Sequence, residues 1–419
     1  MGGQWIVNLT ARRDGSSRFG SNNEFHNFGS AAAAWIFSQT KLLRKMLPLI
    51  SFGKLSASYG TTGNDQIGDY KYLSVYGATN VPTTYQGVSG LLPTGLSNPY
   101  LQWEETRKMR AALNIGLVKD RVLVSAAYFR NRSSNQLLTY ALPLITGFTN
   151  ITRNFPATVQ NSGWEFTLNT INFRTRAFNW SSAVNFTIPQ NKLVAFSGLA
   201  NSSYASSLII GQPVTLLKAY RFLGTNPSTG IFQFADAHGN PTPTPNSTTD
   251  QTILENSSPR FYGGIQNSFS YRGLQLDVFV QFVKQTSSNY YGTIGYFPGV
   301  FSSSGPIGNQ PSFVLARWQK PGDISVIQRF STQPLQSGNA RSSSAAWSDG
   351  SYARLKNISL SYQIPDSWKK KVHLQACRIY AQAQNLLTFT KFTGLDPETP
   401  SSFTLPPLRV ITVGLQIGL

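Results

Sequence analysis

The groups in this chain able to do nucleophilic, acid–base or metal chemistry are few, and their spacing decides how far each can go. His26, His238 and His373 stand far apart in unlike contexts, with no i, i+4 pair and no cysteine beside them, so the spacing of a zinc site is missing. The one cysteine, Cys377, sits in an alternating apolar and polar run, where an inert packed thiol is the expectation, and a single cysteine excludes an internal disulfide. Asp65, Asp69, Asp396 and Glu398 offer oxygens at a short spacing that suits a hard cation such as calcium. No EF-hand spacing accompanies them, and solvated turn acids are the competing account. Asp396-Pro397-Glu398 most simply starts a turn, with proline fixing φ at its second position. The glycine-rich stretch 60–68 lacks the Gly-Lys-Ser/Thr ending of a phosphate loop and opens no obvious helix, so a tight loop with glycine supplying φ > 0 is expected. No catalytic constellation and no cofactor motif stands out, and the chain reads as a non-enzyme.

Binding chemistry has more to work with. Tyr290, Tyr291, Tyr296, Phe297 and Phe301 fall in a long polar connection, where exposed rings can stack on the C–H faces of sugars. The same rings can equally pack loops against one another.

The elements that must carry these residues are strands. Along 275–284 the residues Leu276, Val278, Val280 and Phe282 fall on one face, opposed by Gln275, Asp277 and Gln281. Along 178–188 the same alternation sets Phe178, Trp180, Val184, Phe186 and Ile188 against Asn179, Ser181, Asn185 and Thr187. Side chains in a strand alternate with period 2, so each segment has one greasy and one wet face, the signature of a transmembrane β-barrel. Composition agrees: charged residues are 13% of the chain, against about 25% in soluble domains, which suits a lumen that is polar but mostly uncharged. Many aromatics sit near segment ends, namely Trp5, Trp35, Tyr59, Trp103, Tyr128, Trp164, Trp180, Tyr271 and Tyr362, where interfacial girdles would place them; packed sandwich-core rings are the alternative. The longest apolar run, 31–37, is far short of the roughly 18 residues that a spanning helix needs, so membrane association has to come through strands.

The net charge of +19 is scattered rather than clustered, which argues against nucleic acid. Its densest groups, Lys41, Arg44 and Lys45, and Lys369, Lys370 and Lys371, lie between strand patterns and read as turns, or as partners of anionic lipid head groups. Twelve strands are expected, near 5–12, 28–38, 50–59, 107–118, 122–131, 163–172, 178–188, 261–271, 275–283, 352–362, 378–387 and 408–417. Tight turns at 119–120, 174–176 and 272–273 alternate with long loops near 60–102, 189–259 and 286–350, the asymmetry of outer-membrane barrels. Residues 241–250 read as a loop tip with no structure of its own. The whole of 1–419 reads as one architectural unit. Met1-Gly2-Gly3-Gln4 leads straight into a strand pattern without an export signal, so the chain is expected to be the end of a longer precursor or a product not exported alone.

Several stretches in order resemble the C-terminal half of the SusC/RagA family of TonB-linked outer-membrane transporters. They are Arg13-Asp14-Gly15-Ser16-Ser17-Arg18-Phe19-Gly20, Leu55 to Tyr70 with its Gly60-Thr61-Thr62-Gly63-Asn64-Asp65 centre, Asn98-Pro99-Tyr100-Leu101-Gln102-Trp103-Glu104, Asp349-Gly350-Ser351-Tyr352-Ala353-Arg354-Leu355, Gln384-Asn385-Leu386-Leu387-Thr388, and Gly394-Leu395-Asp396-Pro397-Glu398. One departure is the terminal Leu419, where the family usually ends its last strand on an aromatic. The resemblance implies an all-β, antiparallel transmembrane barrel, of which this chain holds about twelve strands from a total of roughly 22, with the plug absent. It implies an active importer of glycans or peptides in the outer membrane of a Gram-negative, Bacteroidetes-like cell. Its implied partners are outer-membrane lipid, a SusD-like surface lipoprotein and the N-terminal barrel and plug segment, through which alone TonB would act. The alternatives are a self-closed pore or structural barrel, a non-functional truncated remnant, and a secreted β-rich adhesin or carbohydrate-binding module.

Overall fold

The computed structural model describes residues 3–78, 86, 88, 90–293, 299–301, 310–369, 374–401 and 403–418. Tyr296, Phe297, His373, Lys370, Lys371 and Leu419 lie outside the described residues. The main strands are β1 (Trp5–Gly15), β2 (Phe25–Trp35), β3 (Ile50–Asn64), β4 (Glu104–Leu117), β5 (Val122–Ser134), β6 (Ala157–Arg174), β7 (Phe178–Phe196), β8 (Phe261–Tyr271), β9 (Leu274–Lys284), β10 (Tyr352–Gln363), β11 (Ala376–Thr390) and β12 (Val410–Gly418). They form one 12-stranded sheet in which each strand hydrogen-bonds to the next in sequence. All twelve expected strands are there, and 261–271 matches to the residue.

The larger differences lie at the long-connection ends, while at a short one β2 stops at Trp35 and Phe37–Gln39 forms a 3-10 turn in place of the expected strand end. β3 runs on to Asn64, β6 begins at Ala157 and β7 continues to Phe196. Hydropathy alternation marks only the stretch that meets two different solvents, whereas backbone pairing continues wherever a partner strand does. The extensions, rich in Thr, Asn and Gln, therefore carry no periodic signal. Pro189 is tolerated inside β7 because pairing with β8 ends at Thr187↔Tyr262, so the missing N–H costs no ladder bond on that side. The glycine-rich stretch is likewise half strand, and within 60–68 only Gly68 has positive φ, at 78°.

Contacts divide the chain into two compact units, Met1–Thr167 with Ile188–Val214, and Leu168–Thr187 with Thr215–Leu419. In the first, register aligns residue types across strands: Val7, Ala33, Ala57, Ala111 and Tyr128 share one face, while Thr10, Ser30, Gly60, Lys108 and Asn131 share the other. The β4–β5 turn puts Val118, Lys119 and Asp120 at φ of 53°, 57° and 62°, a run that non-glycine residues adopt at a cost. Ser51 offsets that cost, donating from Oγ to Asp120 Oδ1 at 2.6 Å and accepting from the Asp120 amide at 2.9 Å. Lys41, Arg44 and Lys45, expected in a turn, lie in a short helix, Lys41–Met46.

In the second unit the alternation is equally regular. Phe269, Leu276, Leu360, Ala381 and Val413 form one apolar rung, and Ser268, Asp277, Ser359, Gln382 and Thr412 the adjacent polar one. Cys377 faces Ile417 on the apolar side. Val413 is 73% and Ile411 69% exposed, which no water-facing sheet would sustain over so many rungs. The β8–β9 turn, Arg272-Gly273, has φ of 46° and 89°, the double positive of a two-residue hairpin that glycine makes affordable at its second position.

The aromatics near strand ends divide. Trp5 stacks on Trp35 at 5.5 Å, Tyr128 leans on Trp164 at 5.2 Å and Trp180 stacks on Phe269 at 5.6 Å, all on the apolar face. Trp103 instead is buried with Phe19, Phe28 and Leu101, its indole N–H donating to the Glu24 carbonyl at 3.1 Å. It is a loop-core residue, not part of a girdle. No helix among the described residues is long and apolar enough to cross a membrane.

Candidate functional site

The strand boundaries leave connections of unequal length: 16–24, 65–103, 135–156, 197–260, 285–351 and 391–409 at one end, and 36–49, 118–121, 175–177, 272–273 and 364–375 at the other. The long set carries most of the chain's non-repetitive polar and aromatic chemistry, and it is folded. Gln136–Ala141 pairs with Asn150–Phe155, Leu216–Ala219 with Ile253–Asn256, and Thr286–Ser288 with Trp347–Asp349. A three-stranded sheet joins Arg221–Thr225, Phe232–Ala235 and Pro241–Thr242.

That last pairing corrects the expectation of a structureless 241–250. Asp250 is buried, and its carboxylate accepts from the amides of Ala237 at 3.0 Å and Asn246 at 2.7 Å. Asp236 accepts from the amides of His238 and Asn240, both at 2.8 Å. Amide donors favour the charged form, and they hold both carboxyls below the usual carboxylate range.

One arginine ties two loop bases to each other and another ties a loop base to the sheet. In the first unit Arg18 donates from Nε to Asp69 at 3.0 Å and from Nη1 to the Asp65 carbonyl at 3.3 Å, while the Ser16 hydroxyl donates to Asp65 Oδ2 at 2.7 Å. In the second, Arg354 of β10 donates from Nη2 to Asp396 at 2.5 Å, from Nη1 to Glu398 at 2.7 Å and from Nε to the Thr388 hydroxyl at 3.0 Å. Its guanidinium lies 5.4 Å from the centre of the Tyr352 ring. Lys356 adds a bond to each Glu398 oxygen, at 2.7 and 2.8 Å. The Arg354 side chain is 1% exposed. The four acids read as calcium candidates or solvated turn acids are therefore taken by the chain's own cations and hydroxyls. The expected Asp396-Pro397-Glu398 turn is present, with the Glu398 amide donating to Asp396 at 2.9 Å. Among the described residues no group of three His, Cys, Asp or Glu side chains is placed to hold a metal ion. His26 lies 3.6 Å from Glu105 and packs on Phe28, while His238 is exposed in its loop.

Of the loop aromatics, Tyr290 meets Phe313 edge-on at 5.8 Å, and Tyr291 meets Phe232 at 6.1 Å beside the buried cluster of Tyr220, Phe232, Phe234 and Ala340. Burial pushes the Tyr291 hydroxyl well above its usual range. Phe301 packs on Phe330 at 4.9 Å, and Arg317 lies over that ring at 3.7 Å. Sequence reasoning missed Arg354 and Arg18. Each sits inside a quoted motif, but its partners lie some 40 to 50 residues on, as the separations of 42 and 51 residues show. In the first unit a pocket of about 280 Å³ is lined by parts of 69–75, 94–96 and 148–152.

A family model described as TonB dependent receptor-like, beta-barrel matches residues 1–386. TonB-dependent receptor P3 of Formosa agariphila is 29% identical, over 94% of this chain and 40% of that protein. TonB-dependent receptor SusC of Bacteroides thetaiotaomicron is 25% identical, over 99% of this chain and 42% of that protein. The structure of the RagAB peptide transporter superposes with a TM-score of 0.85 at 24% identity, over 99% of this chain and 46% of that one, a likeness of fold. The chain thus spans less than half the length of these relatives. Alternation, meander and motif order agree with the match, and the chain belongs to the TonB-dependent receptor β-barrel family as a SusC/RagA-like member.

Proposed function

We propose that this chain supplies wall and loops to a TonB-energised outer-membrane importer of oligomeric nutrients, glycans or peptides, working with a SusD-like surface lipoprotein. The observation that carries the reading is the sheet's division into an apolar face and a polar, mostly uncharged one, capped by long loops that are anchored rather than loose. The apolar face meets outer-membrane lipid and the polar face lines the path. TonB acts through the plug, which we assign to the polypeptide that completes the receptor. No reaction chemistry is assigned, since the ionisable clusters are saturated by one another. Substrate contact is assigned to the loop segment bearing Tyr290, Tyr291, Tyr296 and Phe297, with the pocket at 69–75 a second candidate.

The test is expression of the complete receptor, followed by membrane fractionation and labelled-oligomer uptake with and without TonB. The reading expects the chain in the outer-membrane fraction and uptake that stops without TonB; recovery in the soluble fraction overturns it. A second reading is a self-closed pore, which would have to join the two edges that stand open among the described residues, where β1 pairs only with β2 and β12 only with β11. Stable conductance in planar bilayers by the 419 residues alone would select it.

A further inference from the structure

We propose that the apolar face of β8–β11, at their long-connection ends, holds a phosphate-bearing, acylated lipid of the outer leaflet, its phosphate between Lys284 and Lys391 and an acyl chain over Ala353. The inference rests on the membrane reading above. Register places Phe282, Ala353 and Phe389 side by side on β9, β10 and β11. Neighbouring strands lie about 4.8 Å apart, so the two phenyl groups stand roughly 10 Å apart with only a methyl group between them, a channel as wide as a hydrocarbon chain. Phe186, Phe261 and Phe282 form the adjoining wall, with Phe186 and Phe261 at 5.4 Å and Phe261 and Phe282 at 6.5 Å.

Two residues further along the same faces, Lys284 and Lys391 line, with Phe261, Phe282, Phe389 and Ser351, a groove of about 680 Å³ that adjoins this channel. Lys284 is fixed in place. Its ammonium donates to Asp349 at 2.9 Å, while the second Asp349 oxygen takes both the amide and the hydroxyl of Ser351. These donors keep the Asp349 carboxyl ionised, pushed down to about 2. An ammonium has three N–H bonds, so Lys284 has two more to direct at a phosphate. Two lysines against one carboxylate leave an excess of positive charge at the mouth of an apolar groove, the complement of an anionic amphiphile.

The depth fits as well. Leu274 to Lys284 is the full length of β9. At about 3.4 Å per residue and a tilt of about 40°, it covers roughly 25 Å, the height of the apolar band of an outer-membrane barrel. The lysines therefore lie at head-group level and the phenyl groups just beneath.

The test uses the complete receptor, inserted in phosphatidylcholine vesicles and extracted for native mass spectrometry with added bis-phosphorylated lipid A, its dephosphorylated form, or inorganic phosphate. The expected result is one bis-phosphorylated lipid retained per receptor, at least tenfold less of the dephosphorylated form, and no competition from millimolar inorganic phosphate. Lys391→Gln, whose side chain forms no ion pair among the described residues, should lower retention about threefold. Lys284→Gln with Lys391→Gln should lower it tenfold or more, and Ala353→Phe, which fills the channel and leaves both charges, should do the same. Unchanged retention in the double variant, or competition by free phosphate, overturns the inference while leaving the membrane reading intact. Failure of the wild type to enter vesicles overturns both.

Discussion

Arg18 and Arg354 do the same work at two loop bases, and they differ in how far water reaches them. Arg18 is 36% exposed and faces Asp69, itself 68% exposed. Arg354 is 1% exposed and its partner Asp396 11%. In water the Coulomb gain of an ion pair is largely offset by side-chain entropy and screening, and such pairs contribute about 0–1 kcal/mol. Inside the fold the pair gains little over an apolar substitute, yet losing one member strands the other without water or partner, at about 3–5 kcal/mol. One chemistry thus gives a weak, water-screened tie in the first unit and a buried, costly-to-break one in the second.

The largest expected effect is that of Arg354→Ala, which leaves Asp396 of the 391–409 loop without its cation and Glu398 with Lys356 alone. A cost of about 3–5 kcal/mol raises loop opening at least a hundredfold, read as tryptic cleavage at Lys391 and Arg409 of the folded receptor. Cleavage at the wild-type rate would show that the anchor carries no load. Next comes Glu398→Gln, which keeps the shape and removes the charge that Arg354 and Lys356 share. The expected loss is about 1.5–3 kcal/mol, typical of hydrogen bonds to charged groups, in the same cleavage assay. Arg18→Ala should cost no more than about 1 kcal/mol, measured as the urea midpoint of the 65–103 loop followed by hydrogen exchange; a loss equal to that of Arg354→Ala would erase the contrast.

Salt sharpens the comparison further. Raising ionic strength from 0.1 to 1 M shortens the screening length from about 10 to about 3 Å, so exchange near Arg18 should speed up while exchange near Arg354 stays constant. The smallest effect is acidification at Asp349. Its folded pKa, about 2, lies below the ordinary 3.8. The bonds that Ser351 and Lys284 make to Asp349 therefore contribute in full above about pH 4 and fade as pH falls from 4 through 2. Asp349→Asn should flatten that acid limb in a pH series of loop exchange between 347 and 351.

The strands were legible because each side chain in Leu276 to Phe282 or Trp180 to Ile188 reports which solvent it meets. Legibility stopped where that contrast stops. The upper parts of β3, β6 and β7 are strands all the same, those of β6 and β7 burying Ala157, Val159, Leu193 and Phe196 around Phe155, and nothing in Thr61-Thr62 or Gln160-Asn161 announces it. Trp103 was misplaced because a ring beside a strand end looks the same whether it faces lipid or a loop core; Phe19 and Phe28, which decide the matter, are far off in sequence. The anchors were hidden for a related reason. Asp396 and Glu398 advertise charge, while the cation that makes them structural lies 42 residues earlier. Tyr290 and Tyr291 show the converse: their position in a long loop was plain, and their packing partners Phe313 and Phe232 were not.

The central claim is that alternate residues of this sheet face lipid and water. Single nitroxide labels along 275–283 of β9, in a Cys377→Ser background of the complete receptor in vesicles, test it directly through oxygen and nickel-chelate accessibility. The account predicts high oxygen and low nickel accessibility at Leu276, Val278, Val280 and Phe282, the reverse at Gln275, Asp277 and Gln281, and a period of two throughout. Labels equally accessible to nickel at both sets would contradict it.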